Sequence, residues 1–237
     1  VVLAAGKGTR MESDLPKVLH PLLEKPLVGW VLDAAAPLRA TRTICIVGHK
    51  AELVEETVSQ SHPSVEFVNQ GQMLGTGHAV SMAKSALENF EGDIIVTCGD
   101  APLLTTQTLQ NLVEKRHESG AAASMLVGNL ENAGSYGRVV MNESGEVREI
   151  VEAKDATPEI LALSTVNAGT YCFSSAHLWA QLNKVGNNNK SGEYYLTDVI
   201  GLLREAGEKV VGILVDEREM TGVNTKAELA QLEAELR

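Results

Sequence analysis

A segment of small and basic residues follows the first apolar run of the sequence. Residues 1–4 are apolar, the letters GKGTR occupy residues 6–10, and Lys17 comes soon after. Glycines let backbone N–H groups approach an anion closely, and Thr9 adds a hydroxyl donor. Arg10 offers a planar fork of donors, while Lys17 carries a compact charge on a flexible stem. The segment therefore indicates a phosphate-binding loop, and the alternative is a tight turn with solvated cations.

The spacing of these glycines does not fit the two commonest phosphate motifs. A P-loop requires G-x-x-x-x-G-K-[ST], which residues 6–9 do not supply. The dinucleotide fingerprint G-x-G-x-x-G requires a glycine where this chain has Met11. The loop is therefore expected to bind phosphate through a different arrangement.

An aspartate follows a later apolar run. Asp100 comes two residues after the run DIIVTC at 93–98. A carboxylate at the end of a strand suits Mg²⁺, which commonly takes one or two protein ligands beside phosphates and water. The alternative is that Asp100 turns the chain before Pro102. A metal and cations beside phosphates predict phosphoryl or nucleotidyl transfer, which needs positioning and charge neutralisation more than a protein nucleophile.

These residues need a scaffold that brings distant loops to one edge. The first half alternates apolar runs with helical patterns, which predicts a parallel sheet covered on both faces. The predicted strands are 1–4, 43–48, 65–69, 93–98, 122–127, 137–141, 147–152, 166–173 and 209–215. The predicted helices are 26–38, 51–61, 78–88, 105–119, 175–182, 195–206 and 225–237. The expected fold class is α/β, a Rossmann-like, doubly wound, mostly parallel mixed sheet with helices on both faces and ligands at the carboxyl ends of the strands.

The composition argues against several classes of function. The net charge of −11 over 237 residues disfavours a nucleic-acid surface, which needs a broad basic face. With no membrane-spanning apolar run and no signal-peptide pattern, a cytoplasmic chain is expected. The chain begins within a strand and without methionine, so a trimmed or partly ordered N-terminus is expected. The three cysteines fall in apolar runs and are expected to be reduced, structural thiols.

A series of short motifs occurs in one order along the chain. They are LAAGKGTRM, DLPKVLHPL, GQMLGTGHA, CGDAPLL, YGRVV, IVEAKDA, VNAGTY, GEYYLTDVI and GVNTKAEL. The series resembles the sugar nucleotidyltransferases, and most closely the uridyltransferase half of bacterial bifunctional enzymes that also carry a glucosamine-1-phosphate acetyltransferase. The resemblance extends over essentially all of the chain and implies the nucleotide-diphospho-sugar transferase version of the expected fold.

The resemblance implies a reaction and its reactants. UTP and N-acetylglucosamine 1-phosphate would give UDP-N-acetylglucosamine and pyrophosphate, with Mg²⁺ as cofactor, for cell-envelope precursor synthesis. It also implies a homo-oligomer, a trimer in the full-length family, without nucleic-acid or membrane partners. Two alternatives stay open: a sister sugar-1-phosphate nucleotidyltransferase with another nucleotide or sugar, and a nucleotide-sugar-binding domain without turnover.

The resemblance also assigns roles to individual residues. Arg10 and Lys17 are the implied catalytic residues, which stabilise the departing pyrophosphate and hold the phosphates. Asp100 and Asn224 are the implied Mg²⁺ ligands. The implied nucleotide-binding residues are Leu3, Ala4, Ala5, Gly6, Gly8, Thr9, Gln70, Gly75 and Thr76. The implied sugar-binding residues are Gly137, Glu152, Asn167 and Thr197.

Three of the motif residues have plain structural alternatives. Judged without the resemblance, Glu152 fits the solvated end of a strand, and Asn167 fits a turn or sheet-edge amide. His78 is the one histidine inside a motif, GTGHA, and a structural role is favoured for it.

The sequence departs from the family pattern in three places. Met73 stands where relatives carry a second glutamine of the uracil loop, and Cys98 stands where they often carry tyrosine. The acetyltransferase repeat does not begin, so no acetyltransferase activity is expected. The expected domains are 1–224, the nucleotidyltransferase, and 225–237, a helix that either starts a linker or packs on the domain.

Overall fold

The chain folds around one large mixed sheet. The computed structural model describes residues 1–237, and its strands are β1 (Val2–Leu3), β2 (Pro21–Leu22), β3 (Lys25–Pro26), β4 (Ile44–Val47), β5 (Glu66–Asn69), β6 (Asp93–Cys98), β7 (Ala123–Asn129), β8 (Arg138–Met141), β9 (Val147–Val151), β10 (Thr165–Ser174) and β11 (Val210–Leu214). The helices are α1 (Leu27–Ala35), α2 (Ala51–Ser61), α3 (Thr76–Met82), α4 (Thr106–Ser119), α5 (Pro158–Leu161), α6 (Ser175–Leu182), α7 (Asp198–Glu205), α8 (Glu217–Met220) and α9 (Lys226–Leu236). Short 3-10 turns lie at Thr9–Met11, Lys17–Leu19 and Ala36–Leu38.

The strand order confirms the expected doubly wound sheet. Across the sheet the order is β11-β7-β10-β6-β1-β4-β5, and the antiparallel pair β8–β9 is attached to β10. β1 pairs in parallel with β4 and β6, β4 pairs in parallel with β5, and β7 with β11. Along this order only β10 runs against its neighbours. The sheet is mostly parallel because each connection in its first half crosses over through a helix.

Alternate side chains of the central strands feed two separate cores. In β4, Ile44 and Ile46 belong to the core that includes α3, α6 and α7, whereas Cys45 and Val47 belong to the core with α1 and α2. This alternation follows from the two-residue repeat of a strand. Helix α4 covers the sheet on the α1 side, over β7 and β10. None of the helices has the length and apolarity that crossing a membrane requires.

The strands and longer helices lie close to their predicted positions. Two helices differ more at their ends: the helix predicted at 78–88 ends at Met82, and the one predicted at 195–206 begins at Asp198. Turns at residues 83–89 replace the last part of the first of these, and Asn89, directly after the predicted end, has a left-handed φ of 64°. The β2–β3 hairpin, α5 and α8 were missed because elements of two to four residues are too short to show a hydrophobic period.

The carboxyl ends of β1, β4 and β6 form one edge, and backbone hydrogen bonds extend the sheet into the loops there. The Ala4 N–H donates to Ile46 O at 2.8 Å, and the Gly99 N–H donates to Leu3 O at 2.9 Å. These bonds hold the glycine-rich loop beside the segment that carries Asp100. This is the edge at which open α/β sheets bind ligands.

Candidate active site

The glycine-rich loop turns tightly against the segment that carries Lys17. Gly8 has a left-handed φ of 64°, and a Cβ on it would lie 2.4 Å from the Cβ of Lys17. Only glycine fits this position, since any side chain would push Lys17 away. Beyond Gly8, the turn Thr9–Met11 buries Met11 and leaves Arg10 exposed at the edge of the sheet.

Four of the predicted site residues meet at one point. Asn224 Oδ1 accepts from Arg10 Nη2 at 2.9 Å and from Lys17 Nζ at 2.7 Å. Lys17 also forms an ion pair with Asp100. The structure therefore brings together both predicted cations and both predicted metal ligands, which come from three distant stretches of the chain.

The backbone around Asp100 and Asn224 fixes the direction of the Asn224 amide. The Val223 N–H donates to Asp100 O at 2.9 Å, which joins the two segments. Asn224 Nδ2 donates to Gly222 O at 2.9 Å. Because the amide nitrogen is held by this carbonyl, the amide oxygen faces Arg10 and Lys17.

The side-chain oxygen atoms of Asp100 and Asn224 are suitable ligands for a hard divalent cation. A carboxylate and an amide oxygen both contact the Lys17 ammonium, so the site already gathers oxygens around one positive charge. No group of three or more His, Cys, Asp or Glu side chains suited to a metal occurs in the chain. The protein thus offers few ligands, the arrangement that Mg²⁺ uses when phosphates and water complete its shell.

A cleft of about 260 Å³ is lined both by residues of this cluster and by two of the four predicted sugar residues. Arg10, Asp100 and Asn224 are the lining residues from the cluster, and Gly137 and Asn167 are the lining residues from the predicted sugar set. An apolar cavity of about 280 Å³ lies at the opposite end of the parallel strands and is lined by none of the predicted catalytic, metal or sugar residues.

Glu152 is one of the predicted sugar residues, and its carboxylate is half-buried. Thr197 Oγ1 donates to Glu152 Oε1 at 3.0 Å, and a Cβ on Gly137 would lie 3.5 Å from both carboxylate oxygens. Burial raises the pKa of Glu152, and repulsion from Asp198 acts in the same direction, against the hydrogen bond from Thr197. Three predicted residues therefore lie together here, but Glu152 is not the solvated strand end of the alternative interpretation.

Asn167 shapes the strand on which it lies. Its Oδ1 accepts from the Gly169 N–H at 3.0 Å, and its Nδ2 donates to Tyr171 Oη at 2.7 Å. The pairing of β10 with β7 shifts register between Asn167 and Tyr171. The side chain thus supports a bulge beside the cleft, and the second N–H of its amide is left for a ligand.

The loop after β5 holds Gln70 in one orientation. Gln70 is buried, and its Nε2 donates to Gly75 O at 3.0 Å and contacts His78 Nδ1 at 3.2 Å. A carbonyl only accepts, so the atom beside Gly75 O must be the amide nitrogen. The second amide N–H then points at His78 Nδ1, and Gln70 Oε1 is presented as an acceptor. This contact is one that a structural role for His78 would use, and that role stays a prediction.

Gly75 and Thr76 pack against the segment before α7. Gly75 has a φ of 111°, and a Cβ on it would lie 2.5 Å from Tyr194 O. Thr76 Oγ1 accepts from the Leu196 N–H at 3.0 Å, so its hydroxyl joins two protein segments. The sequence analysis did not predict this contact between the loop after β5 and the segment before α7. Hydrogen bonds between loops leave no periodic pattern in a sequence.

The three cysteines carry free thiols that stay protonated. Burial raises the pKa of each to about 12. Cys98 also lines the cleft, as Asp100 does. Tyr136 is another lining residue, and the sequence analysis gave it no role. Met73 is exposed in the loop after β5.

Comparison with known proteins assigns the family. The MobA-like NTP transferase domain matches residues 1–190, which is most of the chain. The chain belongs to this NTP transferase family. Nucleotidyl transfer is therefore the reaction class, as the cations, the glycine-rich loop and Asp100 predicted.

Within this family, the chain is similar to the bifunctional GlmU proteins of Bacillus species. The transferase is 46% identical over 234 residues to the bifunctional protein GlmU of Bacillus cereus strain G9842, and 45% identical to that of Bacillus anthracis. Each match covers 98% of this chain and 50% of the relative, so the chain spans about half the length of the curated relatives it matches. The resemblance seen in the ordered motifs is thereby confirmed.

Solved structures support the fold of the transferase. UDP-glucose pyrophosphorylase complexed with UDP-glucose matches with a TM-score of 0.80 at 17% identity, over 99% of this chain and 96% of that one. HddC from Yersinia pseudotuberculosis complexed with GMP-PN matches with a TM-score of 0.71 at 18% identity, over 100% and 98%. The expected nucleotidyltransferase version of the α/β fold is confirmed.

Proposed function

We propose that the transferase joins UTP and N-acetylglucosamine 1-phosphate to form UDP-N-acetylglucosamine and pyrophosphate. The observation that carries the proposal is that Arg10 and Lys17 both donate to Asn224 and that Lys17 also pairs with Asp100, beside a cleft lined by Gly137 and Asn167. The cluster suits a triphosphate, and the remainder of the cleft has room for a sugar. The likeness to the bifunctional GlmU proteins supports this choice of substrates.

The reaction needs no nucleophile from the protein. An oxygen of the sugar phosphate attacks the α-phosphorus of UTP, a P–O bond forms, and the bond to the β-phosphate oxygen breaks with its electron pair on pyrophosphate. Arg10 and Lys17 neutralise the charge that develops on the phosphates, which is the main task in such transfers. Asp100 and Asn224 would hold Mg²⁺, which would supply further neutralisation of the phosphate charge.

We propose that Gln70 distinguishes uracil from cytosine. Its Oε1 is held as an acceptor because both amide hydrogens are directed at Gly75 O and His78 Nδ1. Uracil offers an N3–H donor to that acceptor, whereas cytosine offers a lone pair at the same ring position. Met73, at the position of the second glutamine, contributes an apolar contact in place of a hydrogen bond. Gly75 supplies backbone groups beside the base, and Thr76 holds the loop in place.

We propose that Glu152, Asn167 and Thr197 hold the sugar. The Glu152 carboxylate is an acceptor for sugar hydroxyls, and the remaining amide N–H of Asn167 is a donor. Gly137 keeps the space beside Glu152 open, since a Cβ there would lie 3.5 Å from the carboxylate. The backbone of residues 3–6, with Gly8 and Thr9, remains assigned to the nucleotide and its phosphates.

A substrate panel tests the proposed function. Pyrophosphate release with Mg²⁺ is measured for UTP and CTP, each with N-acetylglucosamine 1-phosphate and with glucose 1-phosphate. We expect kcat/KM for UTP to exceed that for CTP by at least about 100-fold. Loss of the acetamido group is expected to cost about 10-fold or more.

The same panel, together with a calorimetric binding measurement, decides between the alternatives. A different preferred nucleotide or sugar supports a sister nucleotidyltransferase, which the likeness to UDP-glucose pyrophosphorylase makes the second candidate. Tight binding of UDP-N-acetylglucosamine by calorimetry without pyrophosphate release supports a binding domain. We further propose a cytoplasmic protein that forms homo-oligomers and has no nucleic-acid partner, in line with its net charge of −11.

A further inference from the structure

The first turn of α9 contacts both sides of the cation cluster. Glu228 Oε2 accepts from the backbone N–H of Asn224 at 2.6 Å. Lys226 Nζ donates to Glu12 O at 3.0 Å, and Glu12 directly follows the 3-10 turn that carries Arg10. One helical turn therefore joins the segment of the proposed metal ligand to the segment of the proposed catalytic arginine.

A capping box fixes the direction of the Glu228 side chain. Thr225 is the N-cap of α9, and its Oγ1 accepts from the Glu228 N–H at 3.1 Å. In the usual capping box the glutamate three residues on reaches back to the N–H of the N-cap residue. Here Glu228 reaches one residue further, to Asn224. The carboxylate is thus directed at the segment of the metal ligand and not only at the end of its own helix.

The body of α9 is held in place without Glu228. Its leucines pack against the hairpin β2–β3 and the start of α1. The contacting residues are Leu229, Leu232 and Leu236 on the helix and Leu22, Leu27 and Val223 beneath it, with Trp30 alongside. Loss of the Glu228 carboxylate is therefore expected to release Asn224 locally while α9 stays docked.

We propose that Glu228 is a positioning residue for Asn224 and that Lys226 is a positioning residue for Arg10. This rests on the proposed function only in that Asn224 binds the metal. Backbone hydrogen bonds hold Asn224 from two sides, Val223 to Asp100 O and Asn224 itself to Glu228. With one side removed, the Asn224 oxygen loses its fixed place beside Asp100. Groups that orient metal ligands commonly change metal affinity by 10- to 100-fold.

Metal binding to the protein is the direct test. Mn²⁺ is titrated into the protein and free Mn²⁺ is measured by electron paramagnetic resonance, for wild type, Glu228→Ala, Glu228→Gln and Glu235→Ala. We expect the Mn²⁺ Kd to rise about 10-fold in Glu228→Ala. Glu228→Gln keeps an acceptor oxygen and is expected to restore affinity to within about 2-fold of wild type. Glu235 lies further along the same helix and is exposed, so its variant should bind like wild type.

Lys226→Met separates the two halves of the proposal. This variant is expected to keep wild-type Mn²⁺ affinity and to lower kcat about 10-fold, because Arg10 rather than Asn224 loses its support. A purely structural role predicts lower thermal stability in Glu228→Ala and Lys226→Met with unchanged Mn²⁺ affinity and kcat. That pattern, or equal Mn²⁺ affinity in Glu228→Ala and wild type, overturns the proposal.

Failure of the positioning role and of the proposed function give different results. Uridyl transfer by wild type with unchanged Mn²⁺ affinity in Glu228→Ala refutes the positioning role alone. Loss of Mn²⁺ affinity in Glu228→Ala, in a protein that transfers no nucleotide, refutes the proposed function alone.

Discussion

Lys17 and Asn224 are 207 positions apart in the sequence, and the Lys17 ammonium donates to Asn224 Oδ1 at 2.7 Å. The same ammonium pairs with Asp100 at the end of β6. One cation thus connects the loop after β1, the end of a central strand and the segment before α9. The site is complete only when the sheet, the glycine-rich loop and the C-terminal segment are all assembled.

Removal of the Lys17 charge should make stability depend on divalent cations. Lys17→Met keeps most of the stem but leaves the Asp100 carboxylate without its partner, which should cost about 1–3 kcal/mol of unfolding free energy. A divalent cation at Asp100 replaces the lost charge and stabilises the folded state. Calorimetry should therefore show a larger rise in Tm on addition of Mg²⁺ for Lys17→Met than for wild type. Lys7→Met, in the same loop and exposed, is the matched control, and equal Mg²⁺ responses in all three proteins contradict the prediction.

Arg10 should matter for turnover and not for folding. Its guanidinium is exposed and contacts only the Asn224 amide among the side chains, so Arg10→Ala should leave Tm within about 1 °C of wild type. The proposed role at the departing pyrophosphate predicts a fall in kcat of at least about 1,000-fold. Arg10→Lys keeps the charge but loses the fork, and should fall between the two.

Steady-state pyrophosphate release gives the kcat values for Arg10. Arg148→Ala is the control, because Arg148 is an exposed arginine on β9 away from the cluster. Wild-type kcat in Arg10→Ala removes this arginine from the mechanism.

The sequence predicted the sheet well because buried parallel strands are nearly continuous apolar runs. The pattern of β4 and β6 required two covered faces, and the structure provides one core on each face. The reversed direction of β10 was not predicted, since an antiparallel strand buried on both faces has the same apolar pattern as a parallel one. Strand direction depends on connections, and a hydrophobic pattern carries no such information.

The loop after β5 predicts a difference between two glycine substitutions. Gly71 and Gly75 both have positive φ, but only Gly75 faces another backbone, with a Cβ 2.5 Å from Tyr194 O. Gly71→Ala should cost about 1 kcal/mol for its left-handed backbone alone. Gly75→Ala should cost about 1–3 kcal/mol more, because the loop and the segment before α7 must separate.

Urea unfolding of the two glycine variants measures this difference. Separation of the loop should also weaken nucleotide selectivity in Gly75→Ala, since Gly75 O orients the Gln70 amide. Equal loss of stability in the two variants contradicts the close contact as its cause.

The sequence predicted those site residues whose own charges suit the chemistry. It did not predict residues that hold other site residues in place. The motifs pointed to Arg10, Lys17 and Asp100, whose charges suit phosphates and a metal. They did not point to Glu228, because its role comes from a hydrogen bond to a backbone N–H. A T-x-x-E pattern at 225–228 predicts the start of a helix, but only the folded chain places that start beside Asn224. The boundary after residue 224 remains a prediction.

Glu152 should make stability depend on pH in a defined direction. Burial raises the folded-state pKa of Glu152 above its unfolded value, so the folded protein holds this proton more tightly. The stability that comes from the protonated form is fully present below the unfolded pKa and is lost as pH rises through the folded pKa. Glu152→Gln copies the protonated form and keeps an acceptor for Thr197 Oγ1. Its unfolding free energy should match wild type below about pH 4 and exceed it increasingly toward neutral pH.

Urea unfolding between pH 4 and pH 8 gives the difference between Glu152→Gln and wild type. Glu149→Gln, at an exposed neighbouring position on β9, is the control variant. If Glu152 also accepts from the sugar, the variant that gains stability must lose function. A hydrogen bond to a charged acceptor contributes about 1.5–3 kcal/mol, so KM for the sugar phosphate should rise about 10- to 100-fold. A gain in stability without a rise in KM for the sugar phosphate would contradict the proposed hydrogen bond from the sugar to Glu152.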